Sequence, residues 1–172
     1  MTTTSGPANL VAHYDRAART ADKLQSLLLL LIRAYIGYQS IIAGMAHLEN
    51  FNKTAAFFTE LRIPMPKVSV AMSASTEVVG GALLLAGLAS RVVALALAGD
   101  YLVAIVTVEL SNADFSMHAL LNKIWNDQSV VFTDTAFPFF AAAVIVLIFG
   151  PGWYSIDGLI RYMRRKRAGK RI

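Results

Sequence analysis

Three ionisable residues lie inside long apolar stretches of this 172-residue chain: Arg33, Glu77 and Asp100. A charged side chain at the centre of a bilayer costs about 2.5–3.5 kcal/mol to insert alone. An arginine that faces a carboxylate across a helix interface removes much of this cost, so we expect the three side chains to meet inside a helix bundle. Because two carboxylates can share a proton, they are candidates for holding a ligand or relaying protons. The alternative is a salt-bridged cluster that only fixes the order of the helices.

Further polar residues share the helical faces of these charges, at 100° per residue, and are candidates for the same relay: Ser40, His47, Ser73 and Thr107. Three tyrosines could line a quinone pocket: Tyr35, Tyr38 and Tyr101. Tyrosines at such positions more often pack between helices or lie at the membrane interface, and this alternative stays open.

The composition excludes several kinds of site. The chain has no cysteine, which excludes iron–sulfur clusters and cysteine-based zinc sites. No two histidines lie at matching depths of facing apolar stretches, so no haem with two histidine ligands is expected. No residue spacing indicates a metal site, a phosphate-binding loop or a serine nucleophile. A quinone stays open as a cofactor.

Four apolar stretches must position the candidate residues. Apolar residues make up 56% of the chain and charged residues 16%, against about 45–50% and 25% in soluble domains. Three stretches have about 20 residues, enough to cross a bilayer, and the fourth is near the lower limit of about 17. They cover residues 27–47, 68–88, 91–110 and 134–150. We therefore predict an all-α fold, a bundle of four transmembrane helices over 27–150. The flanking segments, 1–26 and 151–172, have the pattern of short amphipathic helices at the membrane interface.

The cations outside these stretches predict the orientation. Most of the 16 Lys and Arg residues lie in the amino-terminal arm, at Arg91 and in the basic tail. The other side holds only Lys53, Arg62, Lys67 and Lys123. The positive-inside rule then places both termini in the cytoplasm. Because the basic residues are concentrated in the tail, nucleic acid is not an expected partner. Membrane lipids, a soluble or redox partner protein and a second copy of the chain are.

Several short motifs occur in an order and spacing typical of a known family. They are Arg33 with Gly37 and Gly44, Ile63-Pro64-Met65-Pro66, Glu77-Val78-Val79-Gly80-Gly81, Gly87-Leu88-Ala89-Ser90-Arg91, Gly150-Pro151-Gly152 and Ser155-Ile156-Asp157. From about Leu27 to Ile160 the chain therefore resembles the DoxX family of small four-helix bacterial membrane proteins. His47 stands where many members carry a lysine, so an anion-binding role at this position would depend on pH here.

The resemblance implies a bacterial inner-membrane protein with a link to redox chemistry. Some relatives are subunits of thiosulfate:quinone oxidoreductases, and others accompany redox or metal-handling operons. The leading hypothesis is a membrane subunit of a redox system, at most an oxidoreductase subunit, whose Arg33, Glu77 and Asp100 hold or protonate a quinone or other small polar ligand. A second hypothesis is a non-enzymatic anchor or assembly factor that docks a partner protein through its basic tail. A transporter of a small anion or metal is a third, although four spans without an inverted repeat argue against it for a monomer.

Overall fold

A computed structural model describes residues 7–110 and 136–168, and every regular element in these residues is a helix. The helices are α1 (Pro7–Glu49), α2 (Phe51–Glu60), α3 (Pro66–Ala86), α4 (Ser90–Leu110), α5 (Ala136–Phe149) and α6 (Ile156–Ala168). The predicted all-α fold is confirmed. The predicted connection at 111–133 and the first two residues of the predicted fourth span lie outside the described residues.

Three of these helices, α1, α3 and α4, are long and apolar enough to cross a membrane. They carry large side chains with outward, exposed surfaces, such as Leu31, Met72 and Val92. Exposed apolar surface on this scale is expected for helices in contact with lipid. The chain is therefore a multi-pass membrane protein. Helix α5 is apolar but has 14 residues, about 21 Å at 1.5 Å per residue, so the count of four spans stays a prediction.

Helix α1 differs from its prediction, because the amino-terminal arm and the first span form one continuous helix of 43 residues. The arm was expected to be a separate helix lying along the membrane. From Ala8 to Ile36 the sequence has no glycine or proline that would interrupt the helical hydrogen bonds. The polar residues of the arm therefore do not end the helix. They mark the part of α1 that is less apolar than the predicted span.

Four helices enclose the core. Helix α1 packs on α3, α3 on α4, α4 on α5, and α5 returns to α1. The buried centre is formed by Ile36, Leu84, Val93, Ala94, Leu97, Ala98, Tyr101, Ala143 and Val146. The short helix α2 packs on α3 through the buried Ala55. Helix α2 was not predicted, although Phe51, Ala55 and Phe58 have the spacing of an amphipathic helix.

One end of the bundle, called the turn end here, joins the α3–α4 turn (residues 87–89) to the segment between α5 and α6 (residues 150–155). Gly87 ends α3 with a φ of 69°, and the Leu88 N–H donates back to the carbonyl of Leu83 at 3.0 Å. Gly150 has a φ of 79° directly after the last residue of α5, so α5 ends within one residue of the end of the fourth apolar stretch. Ser155 Oγ accepts the Gly158 N–H at 2.9 Å and so caps the start of α6.

Candidate functional site

The contact between α1 and α3 is set by glycines that let the two backbones touch. A Cβ atom on Gly37 would lie 2.7 Å from the carbonyl oxygen of Gly81, and one on Gly44 would lie 2.7 Å from that of Ala74. The residue number increases along α1, from Gly37 to Gly44, while it decreases along α3, from Gly81 to Ala74. The two helices are therefore antiparallel. Such close approach is what small residues permit in membrane helices. These contacts fix which residues of α1 face which residues of α3.

Four polar side chains meet between α1, α3 and α4, and we call them the carboxylate cluster: His47, Ser73, Glu77 and Asp100. Glu77 is 4% exposed, and its Oε2 lies 3.6 Å from Nε2 of His47. One turn away on α3, the Ser73 hydroxyl donates to Asp100 Oδ2 at 3.1 Å. The structure therefore brings together the two predicted carboxylates, one predicted serine and the predicted histidine.

The Glu77 carboxyl group is incompletely satisfied. Its Oε2 atom is buried and has no hydrogen-bond partner among the described residues. A buried polar atom left in this state is costly, so it indicates a role beyond packing or a partner that the protein chain does not supply. The His47 side chain is 35% exposed, so the histidine links the buried acid to the surroundings. Two carboxyl groups and an imidazole in series can accept, share and pass on a proton. No group of three metal-ligating side chains occurs within residues 7–110 and 136–168.

Ser40 adjoins the carboxylate cluster through Tyr101, which is close enough to Glu77 and Asp100 to interact with them electrostatically. The three tyrosines are distributed differently from the prediction. The buried Ser40 hydroxyl lies 2.7 Å from the Tyr101 hydroxyl, and the Tyr101 ring packs in the core at 5.6 Å from Phe139. Tyr35 and Tyr38 are 60% and 59% exposed, and the Tyr35 ring stacks on Phe139 of α5 at 6.1 Å. The three tyrosines thus do not surround one space. Only Tyr101 is positioned inside the bundle.

Thr107 is the outermost of the predicted relay residues on α4. Its hydroxyl donates to the carbonyl oxygen of Val103 at 2.7 Å, one turn back on its own helix. This bond within the helix occupies the hydroxyl proton. Thr107 therefore lies on the predicted helix but shares no hydrogen bond with the carboxylate cluster in the described part of the chain.

Arg33 is not part of the cluster, which corrects the prediction that the three charges meet. It is 1% exposed and lies at the turn end, where its Nη2 donates to the carbonyl oxygen of Tyr154. The contact between Gly37 and Gly81 explains the separation, because it brings Arg33 opposite Gly87 instead of Glu77. Fourteen residues of helix, roughly 21 Å, separate Arg33 from His47. The helical period predicted the correct face of α1 and the wrong depth.

Asp157 organises the turn end together with Arg33. Its carboxylate oxygens accept the backbone N–H groups of Ala89 at 2.9 Å and Ser90 at 2.8 Å, and so cap the start of α4. Its own N–H donates to the Gly87 carbonyl at 3.0 Å. Partial burial alone would raise the pKa of Asp157, but the N–H groups of Ser90 and Ala89 outweigh it and hold this pKa below its ordinary value. The tail is thereby joined to the α3–α4 turn.

The role of Asp157 was missed by considering only its own helix. In the first turn of α6 an aspartate is expected to interact with the helix dipole, whereas its carboxylate caps α4, far away in the chain. The signal was present in the paired motifs Gly87–Arg91 and Ser155–Asp157, which occur together in the family pattern. Motifs that occur together in this way indicate that the two segments contact each other at one end of the bundle.

Comparison with known proteins agrees with this architecture. The family model described as DoxX matches residues 28–110, which contain all four residues of the carboxylate cluster and Arg33. The Bacillus subtilis (strain 168) protein named "Putative oxidoreductase CatD" is 32% identical over 100 residues, covering 55% of this chain and 73% of the relative. No solved structure matches the chain. With its motifs, helices and matches in agreement, the chain belongs to the DoxX family.

Proposed function

We propose that this protein is the membrane subunit of a redox system in the bacterial inner membrane, and that its carboxylate cluster exchanges protons with a small polar ligand such as a quinone. The observation that carries the proposal is the buried Oε2 of Glu77, which has no hydrogen-bond partner among the described residues. The name of the Bacillus subtilis relative supports the redox assignment.

A quinone fits the donor set of this cluster. A quinone carbonyl oxygen needs a hydrogen-bond donor, and a protonated Glu77 or His47 supplies one. A bound quinone would supply a carrier that takes up electrons together with protons. Asp100 accepts a hydrogen bond from Ser73. Its carboxyl group would supply a new proton to Glu77 after Glu77 has transferred its own. Arg33 is assigned no part in this exchange, since it lies at the turn end.

The proposed orientation has both termini in the cytoplasm. Arg91 and the exposed cations of α6 lie at the turn end, whereas α2, the segment after it and the start of α3 carry Lys53, Arg62 and Lys67 at the other end. The excess of cations at the turn end supports its cytoplasmic location. The carboxylate cluster would then open away from the cytoplasm, through His47. Electrons would come from a partner redox protein, which the basic tail could dock.

The test is quinone retention by the full chain in lipid nanodiscs that contain a defined fraction of ubiquinone. We expect Glu77→Gln to weaken retention by up to roughly tenfold, because an amide N–H is a weaker donor than a carboxylic acid O–H and an ordinary hydrogen bond contributes about 0.5–1.5 kcal/mol. His47→Gln should weaken it in the same direction. Glu60→Gln, which neutralises an exposed carboxylate at the end of α2, is the matched control and should retain the quinone.

Thermal unfolding of the same variants separates the proposal from its alternative. If Glu77→Gln retains ubiquinone as well as the unchanged chain and only alters its melting temperature, the cluster is structural. The non-enzymatic anchor or assembly factor, which would use the exposed basic face of α6, would then be the better assignment.

A further inference from the structure

A cleft of about 420 Å³ lies at the turn end between α1, the end of α5 and α6. This volume falls within the range of about 300–1,000 Å³ that is typical of small-molecule sites. The cleft is separate from the carboxylate cluster, which lies beyond Arg33 toward the other end of α1. The proton exchange proposed for the carboxylate cluster does not involve this cleft.

The lining of the cleft contains both cationic and apolar side chains. Arg161 and Arg165 are one turn apart on α6 and line the same side of the cleft. Leu29 and Phe149 provide apolar surface from α1 and α5, and Trp153 also lines the cleft. Cationic groups, apolar surface and a tryptophan in one cleft match the profile of a membrane–water interface.

The two guanidinium groups are available for a ligand. Neither forms a salt bridge with another side chain in the described residues. Asp157 is close enough to Arg161 to interact with it electrostatically, but its carboxylate oxygens already accept two backbone N–H groups. Arginine is the side chain best suited to bind a phosphate with two parallel hydrogen bonds.

The acidic and polar residues that α1 contributes to the lining restrict the chemistry of the ligand further. They are Asp22, Gln25 and Ser26. With one acid against two arginines, the lining is net positive and complements a single phosphodiester. The acid and the amide are acceptors for hydroxyl groups of a lipid headgroup. A zwitterionic headgroup would bring no net charge to match the excess cation.

We infer that this cleft binds one anionic phospholipid of the phosphatidylglycerol type, with the phosphate on Arg161 and Arg165, the headgroup hydroxyls toward Asp22 and Gln25, and an acyl chain along Leu29 and Phe149. The bound lipid would fill the space between the long helix α1 and the tail. The site differs from a general attraction of the basic tail to anionic membranes, because it requires two particular arginines on one face of α6.

The test is lipid binding by the full chain, measured by native mass spectrometry with added phosphatidylglycerol, phosphatidylethanolamine or inorganic phosphate. We expect the unchanged chain to retain phosphatidylglycerol in preference to phosphatidylethanolamine. The double variant Arg161→Gln/Arg165→Gln should bind phosphatidylglycerol at least about tenfold more weakly. The matched control is Arg164→Gln/Arg167→Gln, which removes the same charge from α6 residues that do not line the cleft.

Each alternative outcome overturns the inference. An equal loss in both double variants would mean diffuse attraction by the tail. Equal retention of the two lipids would exclude selection by charge, and displacement of phosphatidylglycerol by millimolar inorganic phosphate would make this a site for the free anion. The arginines of both pairs are exposed, so all variants should fold, and equal melting temperatures in lipid-free detergent check this.

Discussion

Individual residues in this protein differ in whether a larger side chain would fit at their position, and the glycines of the membrane helices show this most clearly. Gly81 and Gly99 both lie inside membrane helices, but their surroundings are opposite. A Cβ atom on Gly81 would lie 2.5 Å from the Gly37 carbonyl oxygen, whereas one on Gly99 would have no heavy atom within 4 Å. The same substitution at these two positions therefore isolates the helix contact from the general helix preference for alanine.

We expect Gly81→Ala to destabilise the protein by roughly 1–3 kcal/mol, because a backbone carbonyl cannot move aside as a side chain can. Gly99→Ala should be neutral or stabilising by up to about 1 kcal/mol, since alanine favours the helix. Unfolding of the detergent-solubilised variants, followed by circular dichroism, measures the difference. Equal stability of the two variants would contradict the proposed backbone contact between α1 and α3.

Single elements are held in place by residues from distant parts of the chain. The start of α4 is capped by Asp157, which belongs to α6, and Arg33 of α1 donates to the carbonyl of Tyr154 just before α6. The tail is thus attached to the bundle by specific hydrogen bonds as well as by any interaction with lipid. Loss of the cap should loosen α4 and α6 together.

We expect Asp157→Asn to destabilise the protein by about 0.5–1.5 kcal/mol, because the amide keeps one acceptor oxygen and leaves one of the two N–H groups of Ala89 and Ser90 without its partner. Because the pKa of Asp157 is below its ordinary value in the folded chain, its contribution is complete above the unfolded pKa of about 3.9 and is lost as the pH falls through the folded value. The variant should therefore lose less stability than the unchanged chain on acidification below about pH 5. Melting temperatures across this pH range test the difference, with Glu60→Gln as the control at an exposed position. Parallel curves for Asp157→Asn and the unchanged chain would contradict it.

At the scale of the whole molecule, the lengths of the apolar stretches predicted the bounds of the membrane helices well. They did not predict which residues of neighbouring helices lie at the same depth in the membrane. The predicted spans at 68–88 and 91–110 agree closely with α3 and α4, because apolar runs and the glycine turn mark their ends. Periodicity also placed Ser73, Glu77 and Asp100 on the correct faces. It could not predict that Gly37 contacts Gly81, and this contact moves Arg33 away from Glu77. The relative depth of two helices depends on which of their residues contact each other. The sequence pattern along a single helix does not contain this information.

The orientation of the whole molecule can be tested with cysteines, because the natural chain contains none. Single substitutions Glu60→Cys in α2 and Arg164→Cys in α6 place a thiol at exposed positions at the two ends of the bundle. If both termini are cytoplasmic, a membrane-impermeant maleimide should label Glu60→Cys in right-side-out vesicles and Arg164→Cys only in inside-out vesicles or after lysis. Labelling of both variants from the same side would contradict the topology. The reverse pattern would place His47 and the carboxylate cluster toward the cytoplasm, so protons for the cluster would then come from the cytoplasmic side.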